Sequence, residues 1–180
     1  MGMFMLRKLW TDFISLILRR PSRYQVAALC WRAAPAPADE TTTAENPAEN
    51  PGPNPGGLQV LLITSLTTGR WILPKGWPQM GHDGAATALA EAWEEAGIRI
   101  GTDQPRKIGR YTYHKRLSGD VPAHTMVDVY AIRTERLLDN YPEAGRRKRV
   151  WLTPEEAAAQ VDEPELAALL RESPALITAQ

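Results

Sequence analysis

An α/β protein, built as an α/β/α sandwich, is the fold class predicted by this chain of 180 residues. Three observations predict it. Short runs in which β-branched and aromatic residues alternate with polar ones recur on both sides of one helical segment. That segment is bracketed by Asp83, placed as an N-cap, and by Gly97, where a left-handed residue closes a helix. A further helical stretch, opened by Thr153 and Pro154, follows the last strand-like run. Strands flanking one helix, with helices left over for the opposite face, bury both sheet surfaces in three layers.

The elements follow in order. Over 4–18, Leu6, Leu9, Trp10, Phe13, Ile14 and Ile17 fall at helical spacing with Arg7, Lys8 and Asp12 between them, which predicts an amphipathic helix within 1–22. No apolar run there approaches the roughly 20 residues of a spanning helix. Asp12 interrupts the apolar region, and no small-residue cleavage site follows, so a signal peptide fits poorly. Packing on the domain or a partner is the main expectation for this helix. Weak contact with a membrane surface, helped by Arg19 and Arg20, is the lesser one.

Strands are expected at 25–32 and 59–64. Between them, 33–57 carries Pro35, Pro37, Pro47, Pro51, Pro53 and Pro55 and few large apolar residues, which predicts a disordered insertion forming a long hairpin loop. A turn at Thr67-Thr68-Gly69 leads to a strand at 71–73, and further strands are expected at 107–114 and 125–133. Helices at 155–160 and 163–172 complete a single domain over 23–172, leaving 173–180 as a tail.

Composition agrees with one soluble domain. The hydrophobic content of 43% suffices for one core, and a formal net charge of zero favours neither nucleic acid nor an anionic membrane as partner. Cys30, the sole cysteine, rules out an intramolecular disulfide and fits a reducing compartment, hence the cytoplasm. Its apolar neighbours suit core packing rather than nucleophilic chemistry. His114 and His124 belong to no metal-ligand spacing and receive no role.

The stretch 75–98, K-G-W-P-Q-M-G-H-D-G-A-A-T-A-L-A-E-A-W-E-E-A-G-I, carries the chemistry. Glu91, Glu94 and Glu95 recur at i, i+3 and i+4, so a helix gathers three carboxylates on one stripe, with Leu89, Ala92, Trp93 and Ala96 opposite. Like charges so placed repel unless a cation neutralises them, and Mg²⁺ or Mn²⁺ is the hard cation that carboxylate oxygens suit. A solvated acidic face has the same spacing.

The flanking residues distinguish the two. Gly76, Glu91, Glu94, Glu95, Gly97 and Ile98 follow a pattern that closely resembles the Nudix hydrolase signature: Gly, five residues, Glu, seven residues, then Arg-Glu-apolar-x-Glu-Glu-x-Gly-apolar. His82 stands in place of the first Glu and Ala90 in place of the Arg. The R-W-I-L-P-K-G-W run (70–77), the R-R-K-R-V-W-L run (146–152) and a strand ending in C-W-R (30–32) are similar to the diphosphoinositol polyphosphate and diadenosine polyphosphate hydrolase branch. The resemblance covers about 23–172.

It implies a Nudix-type α/β/α sandwich with a mixed β-sheet, and metal-dependent hydrolysis of a phosphoanhydride in a phosphorylated small molecule. Glu91 and Glu95 become the metal ligands with the backbone carbonyl of Lys75, and Glu94 the general base that deprotonates the attacking water. Arg147 takes a phosphate-binding role, and the Lys75 side chain is free to reach a phosphate. From the residues themselves, strand alternation pairs Arg147 with Arg149 on one face, and Arg23, Lys115 and Arg116 are candidates for the same pocket. Without the signature Arg, a carboxylate should be less firmly held and its pKa higher. That departure supports a second class of function, a Nudix-fold binding or regulatory protein with impaired catalysis. Neither substrate nor oligomeric state follows from these residues.

Overall fold

The computed structural model describes residues 23–34, 57–78, 81–101, 103–116 and 122–179; the side chains of Arg23, of 114–116 and of 122–123 lie outside that description. The expected helix of 1–22 and the expected disorder within 33–57 fall on undescribed residues, except at the ends of the latter.

The strands are β1 (Arg23–Ala33), β2 (Leu58–Thr64), β3 (Trp71–Ile72), β4 (Lys75–Gly76), β5 (Ile98–Ile100), β6 (Arg106–Arg116), β7 (Pro122–Leu137) and β8 (Arg149–Leu152). The helices are α1 (Gly84–Ala96), α2 (Pro154–Gln160) and α3 (Pro164–Thr178). β1 sits at the centre. It pairs in parallel with β7, from Arg23 opposite Thr125 to Trp31 opposite Arg133. Its other edge is shared antiparallel by β4, through Val26 and Ala27, and by β2, through Trp31 to Ala33. β8 and β3 extend the sheet beyond β2, and β6 and β5 line the far edge of β7. The sheet is mixed, as expected.

A central strand covered on both faces reads as a continuous apolar run rather than an alternating one. Val26, Ala27, Ala28, Leu29 and Cys30 are all fully buried, and burial pushes the Cys30 thiol pKa well up, in keeping with a packing role. Val26, Ala28 and Cys30 meet Ala88, Ala92 and Ala96 of α1 on one side. Ala27 and Leu29 belong to the opposite core, with Leu166, Leu169 and Leu170 of α3 and Ala157 of α2. The three-layer sandwich follows from this division.

The β1–β2 pairing continues beyond the ladder, where the Ala34 N–H donates to the Gly57 carbonyl at 2.7 Å. The intervening segment therefore joins two paired strands, as a hairpin connection does, although Ala33 and Leu58 belong to the strands. At the other end, the expected tail is corrected. α3 runs six residues past Glu172 to Thr178, with Ser173 buried and Leu176 and Ile177 packed on the core. Pro174 lies inside it. Proline removes the N–H that would bond to the carbonyl four residues back, and the Ser173 hydroxyl donates to that carbonyl, Leu170 O, at 2.7 Å. Such a substitute lets the helix pass a residue that ordinarily ends one.

Candidate active site

The site is built on α1. Asp83 Oδ1 accepts the Ala86 N–H at 2.7 Å, which fixes the start of the helix. Gly97 stops it with φ +66°, its N–H turned back to the carbonyls of Ala92 and Trp93. A Cβ at 97 would also press on the Tyr141 ring and the Leu138 carbonyl, so glycine is required twice over.

The face that α1 buries takes in one of the three glutamates. Trp93 is 44% exposed, whereas Glu91 is only 9% exposed and lies among buried Thr87, Ala88, Ala92 and Ala96. The alanines explain this. Their small side chains let the helix axis approach the sheet closely, and the helix is rotated to place Glu91 on β4. The Glu91 carboxylate rests directly on Gly76, where any Cβ would overlap it. Glycine at the head of the signature is thus the floor beneath its first helix glutamate.

The pleat of β4 separates its two residues. Gly76 pairs with Val26 and opens toward α1; Lys75 pairs with Ala27, and its ammonium lies 5.3 Å from the centroid of the Tyr113 ring on the opposite face. The Lys75 N–H nevertheless donates to Glu95 Oε2 at 2.8 Å. Glu91 and Glu95, a turn apart, therefore converge on the same two-residue strand.

Their electrostatics are unbalanced. Burial, and then the charges of Glu95 and Glu94, push the Glu91 pKa up to about 7 against the attraction of Arg147. Burial also raises Glu95, opposed by the Lys75 amide and by Arg147. Among the described residues Glu91 has no hydrogen-bond donor. No three His, Cys, Asp or Glu side chains among them form a ready-made metal cluster. Two carboxylates and a carbonyl is a smaller set, and a nearly buried carboxylate without a donor beside a second one fits a hard divalent cation.

The candidate cations divide. Arg147 lies in the turn before β8 rather than in the strand, yet its guanidinium points at α1: Nη2 pairs with Glu95, Nε with Glu143, and Nη1 donates to Thr64 O at 3.0 Å. Arg149 stacks on the Tyr141 ring at 4.9 Å and donates through Nη1 to Ala96 O and Leu138 O, both at 3.0 Å. Strand alternation does not apply to this pair, since Arg147 precedes β8, but both guanidiniums turn to the end of α1 and are engaged by protein groups. Arg23 and Lys115 stand in the backbone ladder opposite Thr125 and Ala123, two positions from Gln25 and Tyr113 respectively. Lys75 is the candidate cation that the described side chains place against Tyr113, whose hydroxyl donates to Gln25 at 2.7 Å. Ala90 contributes no charge, and His82 is exposed.

Two functional candidates escaped the sequence reading. Glu143 meets Arg147, and its spacing of four residues from that arginine was a usable signal. Asp128, nearly buried, accepts from Tyr24 at 3.0 Å, Lys107 at 2.6 Å and Arg110 at 2.6 Å. Only the β1–β7–β6 register brings these four together, so no local spacing announces them.

Fold and site together define a Nudix-type α/β/α domain with a carboxylate centre on its first described helix. The sequence matches the NUDIX domain over residues 53–172, and the chain belongs to the Nudix hydrolase family. Its fold is similar to that of the Caenorhabditis elegans Ap4A hydrolase, at 18% identity and a TM-score of 0.54 over 87% of this chain and 99% of that one. The NUDIX domain of Shewanella oneidensis NrtR, complexed with ADP ribose, gives 12% identity and a TM-score of 0.55 over 91% and 97% of the two chains. The Escherichia coli dihydroneopterin triphosphate pyrophosphohydrolase gives 14% and 0.53 over 83% and 92%.

Proposed function

We propose that this chain is a metal-dependent pyrophosphohydrolase, acting in the cytoplasm on a diphosphate-containing small molecule: a diphosphoinositol polyphosphate, a dinucleoside polyphosphate or a related nucleotide. The observation that carries the reading is Glu91, nearly buried, without a donor among the described residues and held on Gly76 beside Glu95. Glu91, Glu95 and the Lys75 carbonyl are the groups that would hold Mg²⁺ or Mn²⁺, which when bound offsets charge on phosphate oxygens and acidifies water. Glu94, partly exposed on the same helix, accepts the proton of the attacking water. Lys75, with Arg23 and Lys115, supplies positive charge to the phosphates. The Caenorhabditis elegans Ap4A hydrolase and the NrtR NUDIX domain complexed with ADP ribose, both similar in fold, are named with molecules of this diphosphate class.

The test is hydrolysis of a panel of diphosphoinositol polyphosphates, dinucleoside polyphosphates and nucleotide sugars with Mg²⁺ or Mn²⁺. Turnover should require the metal and fall by about 10²-fold or more in Glu94→Gln. Ala90 favours a second reading, a Nudix-fold binding protein without turnover. Retained metal and ligand binding with no hydrolysis of any substrate would decide for it.

A further inference from the structure

The glutamate stripe of α1 has no cation of its own, since no Lys, Arg or His occurs between Gly84 and Ala96 and the signature Arg position holds Ala90. We infer that Arg147 supplies the missing guanidinium from outside the helix and is the positioning residue for Glu95. The inference rests on the proposed metal role of Glu95.

Three features of the structure support it. The Arg147 side chain is 6% exposed, and its Nε, Nη1 and Nη2 are each committed, to Glu143, Thr64 O and Glu95. A phosphate-binding arginine presents a fork of donors to its ligand; this one presents them to the protein. Next, the segment that carries it is itself a cap for α1. The carbonyls at a helix C-terminus lack intrahelical donors. Here Glu94 O accepts from the Glu143 N–H at 3.1 Å, Ala96 O from Arg149 at 3.0 Å, and Gly97 O from the Leu138 N–H at 2.7 Å. The chain from Leu138 to Arg149 is therefore fixed on the end of the helix from which Glu95 projects. Finally, the Lys75 N–H holds Oε2 of Glu95 while Arg147 takes Oε1, so both oxygens of that carboxylate have a set direction.

The geometry differs from that of the signature. An arginine at position 90 would lie one turn before Glu94 and share its stripe. Arg147 reaches Glu95 instead, so the firmly held carboxylate of this chain is the one proposed to bind metal, and Glu94 is left to move protons.

Groups that orient metal ligands contribute about 10- to 100-fold in affinity or activity. Equilibrium Mn²⁺ binding, followed by the electron paramagnetic resonance of the free ion, reads this without turnover. Arg147→Ala should weaken Mn²⁺ by about 10-fold or more, and Arg147→Lys should recover only part of the loss, because one ammonium cannot span Glu95, Glu143 and Thr64 O. In a Glu95→Gln background the same substitution should add little, because the two act as one unit. Glu143→Gln, which loosens the clamp without emptying it, should fall between wild type and Arg147→Ala and serves if the alanine variant unfolds.

Unchanged Mn²⁺ affinity with a raised KM in Arg147→Ala would overturn the inference in favour of a phosphate ligand. Tighter Mn²⁺ would also overturn it, as Arg147 would then be a counter-ion that the metal displaces. Wild-type protein whose Mn²⁺ binding is indifferent to Glu91→Gln and Glu95→Gln would instead sink the proposed metal site itself.

Discussion

At the scale of single residues, the centre depends on an absent side chain. Gly76 and Glu91 occupy one volume: the carboxylate lies where a Cβ at 76 would project. Gly76→Ala should therefore displace Glu91 while the sheet, paired there through backbone groups of Val26 and Ala27, persists. The expected result is Mn²⁺ affinity lowered by about 10-fold or more, by loss of ligand geometry, with a circular dichroism spectrum unchanged from wild type. Retained affinity would show that Glu91 is not a ligand. Both residues were legible in the sequence, as positions in a spaced motif. Their contact was not, because the 14 positions between them say nothing of how closely α1 settles on β4.

At the scale of elements, boundaries written in local chemistry were readable and those set by packing were not. Asp83, Gly97, Thr153 and Pro154 act where the sequence places them, with Thr153 and Glu156 closing a capping box at the start of α2. α3 is the exception. A proline ten residues into a helix usually marks its end, yet the core contacts of Leu176 and Ile177 and the Ser173 hydroxyl carry it onward. Removing that hydroxyl leaves the buried Leu170 carbonyl without its substitute donor. Ser173→Ala should cost about 1–2 kcal/mol, a fall of roughly 3–6 °C in Tm by thermal denaturation. No change would mean that α3 beyond Pro174 is held by packing alone. The orientation of α1 about its axis belongs to the same lesson. Spacing set Trp93 opposite the glutamate stripe without saying which side is buried; the alanine face and Gly76 bury Glu91 and leave Trp93 exposed.

At the scale of the whole molecule, Asp128 ties three strands together. Val26 stands opposite Asp128 and Arg110 opposite it on the other side, so one row of the ladder crosses β1, β7 and β6. Burial pushes the Asp128 carboxyl up, but the hydrogen bonds from Arg110, Lys107 and Tyr24 outweigh it and hold the pKa at about 2, below its ordinary 3.8. A group with a depressed folded pKa contributes stability that is complete above its unfolded value and is lost as the pH falls through the folded one. Lys107 and Arg110 are half exposed, so solvent screening limits the contribution to the order of 1 kcal/mol. Asp128→Asn should therefore lower stability in urea at pH 7, and the two proteins should converge as the pH is brought from about 4 down to 2. A gap that persists at pH 2 would assign the loss to packing rather than to charge.

The sequence by itself determined the layers, most of the elements and the helix that carries the three glutamates, because caps, turns and the spacing of a motif are local and leave their mark within a few residues. Tertiary structure alone decided which charges meet. Arg147 and Arg149 are both candidate phosphate ligands in the sequence, yet the segment before β8 folds against the end of α1, where carbonyls and Glu95 take up their donors. Spacing alone makes Glu91 one of three carboxylates on a stripe, and burial against Gly76 separates it from the others. Charges placed by residues 50 or more positions apart depend on register and on how closely layers pack, and neither is encoded in any one stretch of the chain.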